Sequence, residues 1–132
     1  MLISSIVIEY IFKTIKLKKM NEFALIMRHE DGLKVASPEQ IQIWMKQTSE
    51  WIGSIAAQNK FVSGTGLLFE DAKVITADKM VTNGPFGDIK ETIGGLIVIK
   101  AVSMEEASAF AKGCPVLQGE GNSVEVRKIA KH

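Results

Sequence analysis

Thirteen residues, Asn83-Gly84-Pro85-Phe86-Gly87-Asp88-Ile89-Lys90-Glu91-Thr92-Ile93-Gly94-Gly95, constrain this chain more than any other stretch. Gly84-Pro85 and Gly87 supply the backbone freedom and the fixed φ that a tight turn demands. A Lys-Glu pair follows, and Gly94-Gly95 then opens the apolar run Leu96 to Ala101. Turn, charged pair and continuous apolar run in that order predict a hairpin mouth feeding a central strand.

Elements of matching kind stand on both sides of that motif. Glu22 to Arg28 alternates Phe23, Leu25 and Met27 with Ala24, Ile26 and Arg28 and predicts a strand, closed by the polar His29-Glu30-Asp31-Gly32. Ser37-Pro38-Glu39-Gln40 combines an N-cap, a proline at the first helical position and a glutamine at N3. Ile41, Trp44, Met45, Trp51, Ile52 and Ile55 then recur at helical period, and Asn59 suits a left-handed cap. Phe61 to Phe69 reads as a strand interrupted by Gly64 and Gly66. Val74–Thr76 and Met80–Thr82, either side of Ala77-Asp78-Lys79, predict a small hairpin. After the strand Ile93 to Ala101, Ser103-Met104-Glu105-Glu106 is a second capping box, and Gly113 and Pro115 stop its short helix. Ser123 to Ile129 reads as the last strand.

The order is strand, helix, strand, hairpin insert, strand, helix, strand. Two strand-helix-strand units in one short chain predict an α+β fold of the ferredoxin-like split βαβ kind, an antiparallel sheet with two helices on one face. The other face would meet water at residues such as Ala24, Ile26, Ile97 and Ile99, or at their opposite-parity neighbours. A symmetric homodimer is the expected cover, and a pocket between the two sheets the expected ligand site.

Composition narrows the functional classes. With 132 residues and 46% apolar content, one domain is expected over residues 20–132. Residues 1–19 carry four lysines against Glu9, a local +3, which leaves the remainder at −2 of the total +1. A mildly acidic body argues against a nucleic-acid partner. The single cysteine, Cys114, permits neither an internal disulfide nor a cysteine zinc site and fits a reducing cytoplasm. No metal or cofactor is expected. In residues 1–19, Ile3, Ile6, Val7, Tyr10, Ile11 and Ile15 share a helical face and the lysines follow them, the reverse of a signal peptide. Glu9 and Lys13 interrupt the run too early for a membrane span. This N-terminal extension is either a basic amphipathic helix resting on a membrane or partner, or sequence upstream of a true start at Met20. The second reading is preferred because Met20-Asn21-Glu22 leads directly into a strand.

Asn83-Gly84-Pro85-Phe86, Lys90-Glu91 and Gly94-Gly95 together resemble the D-G-P-F, K-E and G-G elements of the YCII-related family in its DGPF branch. Glu125-Val126-Arg127 is similar to that branch's closing E-V-R. The resemblance spans about residues 20 to 130. It implies a bacterial, cytoplasmic dimer of the dimeric α/β-barrel type, and a functional link to an extracytoplasmic-function sigma factor. Among YCII-like relatives it also implies lyase or isomerase chemistry by a His and Asp pair on small acidic or aromatic compounds. Asn83 stands where the branch usually carries Asp, and an amide does not titrate. Lys128 replaces the proline that commonly follows the Arg. The first helix region, where the family's catalytic His falls, holds no histidine.

Candidate site residues follow from chemistry and place. Arg28 and Arg127 end or interrupt apolar strands, where a guanidinium requires an anion, with Glu125 or Glu91 as the structural alternative. Phe86 either packs the turn or lines the dimer pocket, and of the neighbours Lys90 and Glu91 only one can face it. Arg28, Arg127, Phe86 and Lys90 are therefore the expected contacts to a small anionic or aromatic ligand. The alternative is a cofactor-free lyase or isomerase in which His29 works as a base with Glu91.

Overall fold

The computed structural model describes residues 5–11, 19–30, 37–68, 70–84 and 92–131. Residues 5–11 are helical and exposed throughout. The main body is built from β1 (Asn21–His29), α1 (Pro38–Ala56), β2 (Phe61–Gly66), β3 (Ala72–Ile75), β4 (Val81–Gly84), β5 (Thr92–Ala101), α2 (Met104–Ala111), a 3-10 turn (Pro115–Gln118) and β6 (Ser123–Lys128). Four strands form one antiparallel sheet in the order β2-β5-β1-β6, while β3 and β4 pair apart from it. The chain is thus α+β, and its strand order is compatible with the ferredoxin-like arrangement predicted from the alternation of elements.

Local chemistry starts and stops the helices where the sequence says it should. Ser37 Oγ accepts from the Gln40 backbone N–H at 3.1 Å, and Pro38 occupies the first turn. Ser103 Oγ does the same for Glu106 at 3.1 Å, while the Glu106 carboxylate accepts from the Val102 N–H at 3.3 Å. Asn59, at φ 59°, closes the turn after α1 in the left-handed region. The predicted hairpin forms around Asp78, whose carboxylate accepts from Thr76 Oγ1 and from the Met80 N–H. Those bonds, led by the one from Thr76, hold Asp78 below its ordinary value. The 3-10 turn at Pro115–Gln118 lies between α2 and β6, where the sequence reading placed no element.

Alternation along the strands divides the sheet into two unlike faces. The register sets Phe23 opposite Ile99 and Leu25 opposite Ile97, so these four share a face. They join Trp51 and Ile55 of α1, and Ala107 and Ala111 of α2, in one buried cluster that also takes in Ala101 and Cys114. Trp51 is anchored there by its indole N–H, which donates to the Phe110 carbonyl at 2.9 Å. Trp44, two turns earlier on α1, is exposed, so only one of the two tryptophans serves the core.

The opposite face carries Ala24 and Ile26 of β1 against Val98 and Leu96 of β5. All four are half-buried and none belongs to the core cluster. On β5 the bare positions are therefore the opposite-parity neighbours, and Ile97 and Ile99 belong to the helix side. Pairing shifts register between Met27 and Arg28, where Gly94 has no partner on β1. Its neighbour Gly95 is a tight fit, since a Cβ there would lie 2.9 Å from the Thr65 carbonyl oxygen.

Candidate functional site

The bare face becomes polar toward β6. Register places Arg127 beside Ala24, Glu125 beside Ile26 and Ser123 beside Arg28, so alternate residues of two strands project Arg28, Glu125 and Arg127 on one side. Arg28 Nε and Nη2 donate to Glu125 Oε1 at 3.3 and 3.1 Å. Arg127 Nε stands 3.7 Å from the other carboxylate oxygen, Oε2. One carboxylate thus sits between two guanidiniums, and the cluster keeps a net positive charge.

The two arginines are not equivalent. The Arg28 side chain is 27% exposed and faces Glu125 with two donors, as a structural ion pair would have it. The Arg127 side chain is 70% exposed and makes the longer contact, so it is the more accessible donor to an incoming anion. Beside this charge lies the apolar strip of Ala24, Ile26, Leu96 and Val98, which gives the face one wet end and one dry stretch.

The proposed catalytic histidine is elsewhere. His29 follows Arg28 directly on β1, so the two side chains leave the strand on opposite faces. Its register partner is Thr92. Glu91, the carboxylate proposed for it, lies outside the described residues, as do Phe86 and Lys90. Asn83, at the head of the glycine-proline motif, is on β4 opposite Lys73, and its side-chain oxygen accepts from the Lys73 ammonium. An amide suits that bond as acceptor and has no proton to carry.

Two further groups complete the chemistry. Cys114 is buried in the core cluster, and burial pushes its thiol up from the ordinary 9.0, the opposite of an activated nucleophile. Lys60, at the entry to β2, pairs with Glu106 of α2 at 3.0 Å and lies 5.6 Å from the centre of the Phe110 ring. Both partners are half-buried, and the pair clamps α2 to the sheet edge. The sequence offered no signal for it, because the partners belong to different halves of the chain. Among the described residues no group of three or more His, Cys, Asp or Glu side chains stands in metal-binding proximity, and no helix is long and apolar enough to cross a membrane.

A small α+β domain with one sheet face covered by helices, the other bare among the described residues, and a Glu-bridged arginine pair on that second face, is the class these features define. A family model for the YCII-related domain matches residues 21–130, and the chain belongs to that family. No curated protein matches it. Membership in the family assigns no reaction by itself, so function rests on the chemistry of the face.

Proposed function

We propose that this protein is a small-molecule binding or regulatory module of the YCII-related family. Two copies associate through the bare sheet faces as a dimeric α/β barrel, and the cavity between them takes a small anionic or aromatic compound. The observation that carries the reading is the Arg28–Glu125–Arg127 cluster beside the apolar strip of Ala24, Ile26, Leu96 and Val98. A guanidinium pair offers bidentate recognition of a carboxylate, and the strip offers an apolar surface to the rest of the ligand. Phe86 and Lys90, from the DGPF-type motif, are proposed to complete the contacts. A cytoplasmic location and a link to an extracytoplasmic-function sigma factor belong to the same reading.

Thermal-shift screening of small aromatic and aliphatic carboxylates, with sedimentation velocity in parallel, tests it. The expected result is a dimer whose melting temperature rises with ligand, with the rise lost in Arg127→Ala and reduced in Arg28→Ala. A monomer, or a rise that both variants leave intact, removes the pocket.

The enzyme reading keeps one point in its favour: the register brings His29 opposite Thr92, the residue that follows Glu91 in the chain. A cofactor-free lyase or isomerase using that pair would lose all turnover of lactones or hydroxylated aromatics in His29→Ala, and turnover that survives would eliminate the mechanism.

A further inference from the structure

At the end of the sheet where β1 begins and β6 finishes, two distant parts of the chain run side by side. The ladder pairs Phe23 with Lys128, and the Ile129 N–H donates to the Glu22 carbonyl at 2.9 Å, carrying the pairing one residue beyond β6. Residues 128–131 are thereby laid against residues 19–21. Between them opens a groove of about 570 Å³, lined by Lys19, Asn21, Lys128, Ile129, Ala130 and Lys131. Among the described residues, half of this lining is lysine and none of it is acidic.

Like charges on three lysines lining one groove repel, weakly where water screens them, and an anion between them turns that repulsion into attraction. Lys131 feels the proximity of the other two lysines. Hydrogen bonding with the Lys19 side chain, then desolvation, then the charges of Lys19 and Lys128 hold it below the ordinary 10.5. Lys128 and Lys131 are three residues apart in the chain, whereas Lys19 is more than a hundred away and is brought to them by the β1–β6 ladder.

We propose that this groove is an oxyanion site that takes a phosphate-class group through Lys19, Lys128 and Lys131. Lysine suits the task, being a compact point charge with three donors on a flexible stem that can close on a tetrahedral anion from several sides. A phosphate monoester carries close to two negative charges near neutral pH and offsets three ammoniums better than a single carboxylate does. Asn21 places an amide at the same wall, and Ile129 and Ala130 leave an uncharged side for the esterified part. The site is separate from the arginine cluster, since Arg127 and Lys128 are consecutive on β6 and project to opposite faces.

A phosphate-class group reaches such a groove from a soluble phosphomonoester or from a phospholipid headgroup. The exposed Ile6, Val7, Ile8 and Ile11 of the helical segment at residues 5–11, upstream of Lys19, make the second source worth its own arm. The test uses the full chain. Calorimetric titration with glycerol phosphate at chloride-matched ionic strength is run beside co-sedimentation with phosphatidylcholine vesicles, with and without phosphatidic acid. Lys128, Lys131 and Lys19 are exposed, so a Lys128→Gln, Lys131→Gln double variant retains the fold, and Lys46→Gln on α1 controls for loss of one charge.

Binding of either probe, weakened about tenfold or more in the double variant and less than about twofold in Lys46→Gln, supports the site. Glycerol phosphate alone identifies a soluble ligand, and acidic vesicles alone identify a headgroup. If neither probe binds, or if the double variant loses no more than Lys46→Gln, the site is overturned.

Discussion

On β5, Ile97 and Ile99 are almost fully buried, while Leu96 and Val98, one residue away and equally apolar, stay half exposed. The same contrast repeats on β1 between Phe23 or Leu25 and Ala24 or Ile26. Side-chain chemistry does not distinguish the two faces; the helices do. The covered face is closed by Trp51 and Ile55 of α1 and by the small Ala107 and Ala111 of α2, whose methyl groups let that helix lie close to the sheet. The other face carries similar side chains without such a cover among the described residues and ends in a charged cluster. An apolar strip bordered by a guanidinium pair is what a binding surface needs and a finished core does not.

The sharpest way to break this comparison is to shorten matched residues on the two faces. Leu25→Ala should cost about 3 kcal/mol of unfolding free energy in urea titrations at any protein concentration, because the cavity opens inside a filled core. Ile26→Ala should cost under about 1 kcal/mol in dilute solution, since its side chain is already half solvated. If a second copy covers the face, the Ile26→Ala cost grows with protein concentration. Equal and concentration-independent costs would erase the distinction between the faces.

Glycines give a second contrast within the same sheet. Gly95→Ala forces a Cβ to 2.9 Å from the Thr65 carbonyl and should cost about 1–3 kcal/mol, whereas Gly66→Ala meets nothing within 4 Å and should be far milder in the same titration. Weaker again is the ion pair on the bare face. Arg28→Ala should cost about 0.5–1 kcal/mol, with the difference from wild type shrinking as salt is raised, because Arg28 and Glu125 are both partly solvated. A larger, salt-independent loss would mean that the pair is covered, as it would be inside a dimer.

The pH profile separates core from surface with the smallest effects. Cys114 has its folded value raised, so its contribution is intact below 9.0 and declines as pH rises through the higher folded value. Cys114→Ala should flatten that alkaline decline, and thiol reagents should label native protein far more slowly than unfolded protein. Asp78 has its folded value lowered, so its contribution is present above 3.8 and fades as pH falls through the folded value. Asp78→Asn should remove that acid-side sensitivity and leave the core untouched. Amide exchange at the Met80 N–H reads the turn directly.

Much of the fold was legible because its signals are local. Ser37 with Pro38, Ser103 with Glu106, and Asn59 each act within one turn of chain, and each forms the cap its neighbours imply. Strand alternation along residues 21–29 needs only the pleat. The 3-10 turn at Pro115–Gln118 was hidden, because glycine and polar residues around it resemble an ordinary loop. Which parity of β5 would face the helices was equally hidden, since a run that is apolar on both sides carries no alternation to read. At the site, Arg28 and Arg127 were visible as charges in apolar strands, with Glu125 as a plausible partner. That one carboxylate meets both depends on the β1–β6 register. The Lys60–Glu106 clamp and the approach of Lys19 to Lys128 and Lys131 could not be read at all, because no local pattern links residues so far apart in the chain.

By itself, the sequence determined the order of the helices and main strands and their caps, because each rests on bonds or patterns spanning a few neighbouring residues, and the motifs that pointed to the YCII-related family. Tertiary structure alone decided which face of the sheet stays bare, which arginine is engaged and which is accessible, and that Lys19 meets Lys128 and Lys131. The first outcome follows from which face the helices cover, the others from strand pairing, and both join residues far apart in the chain that no local pattern links.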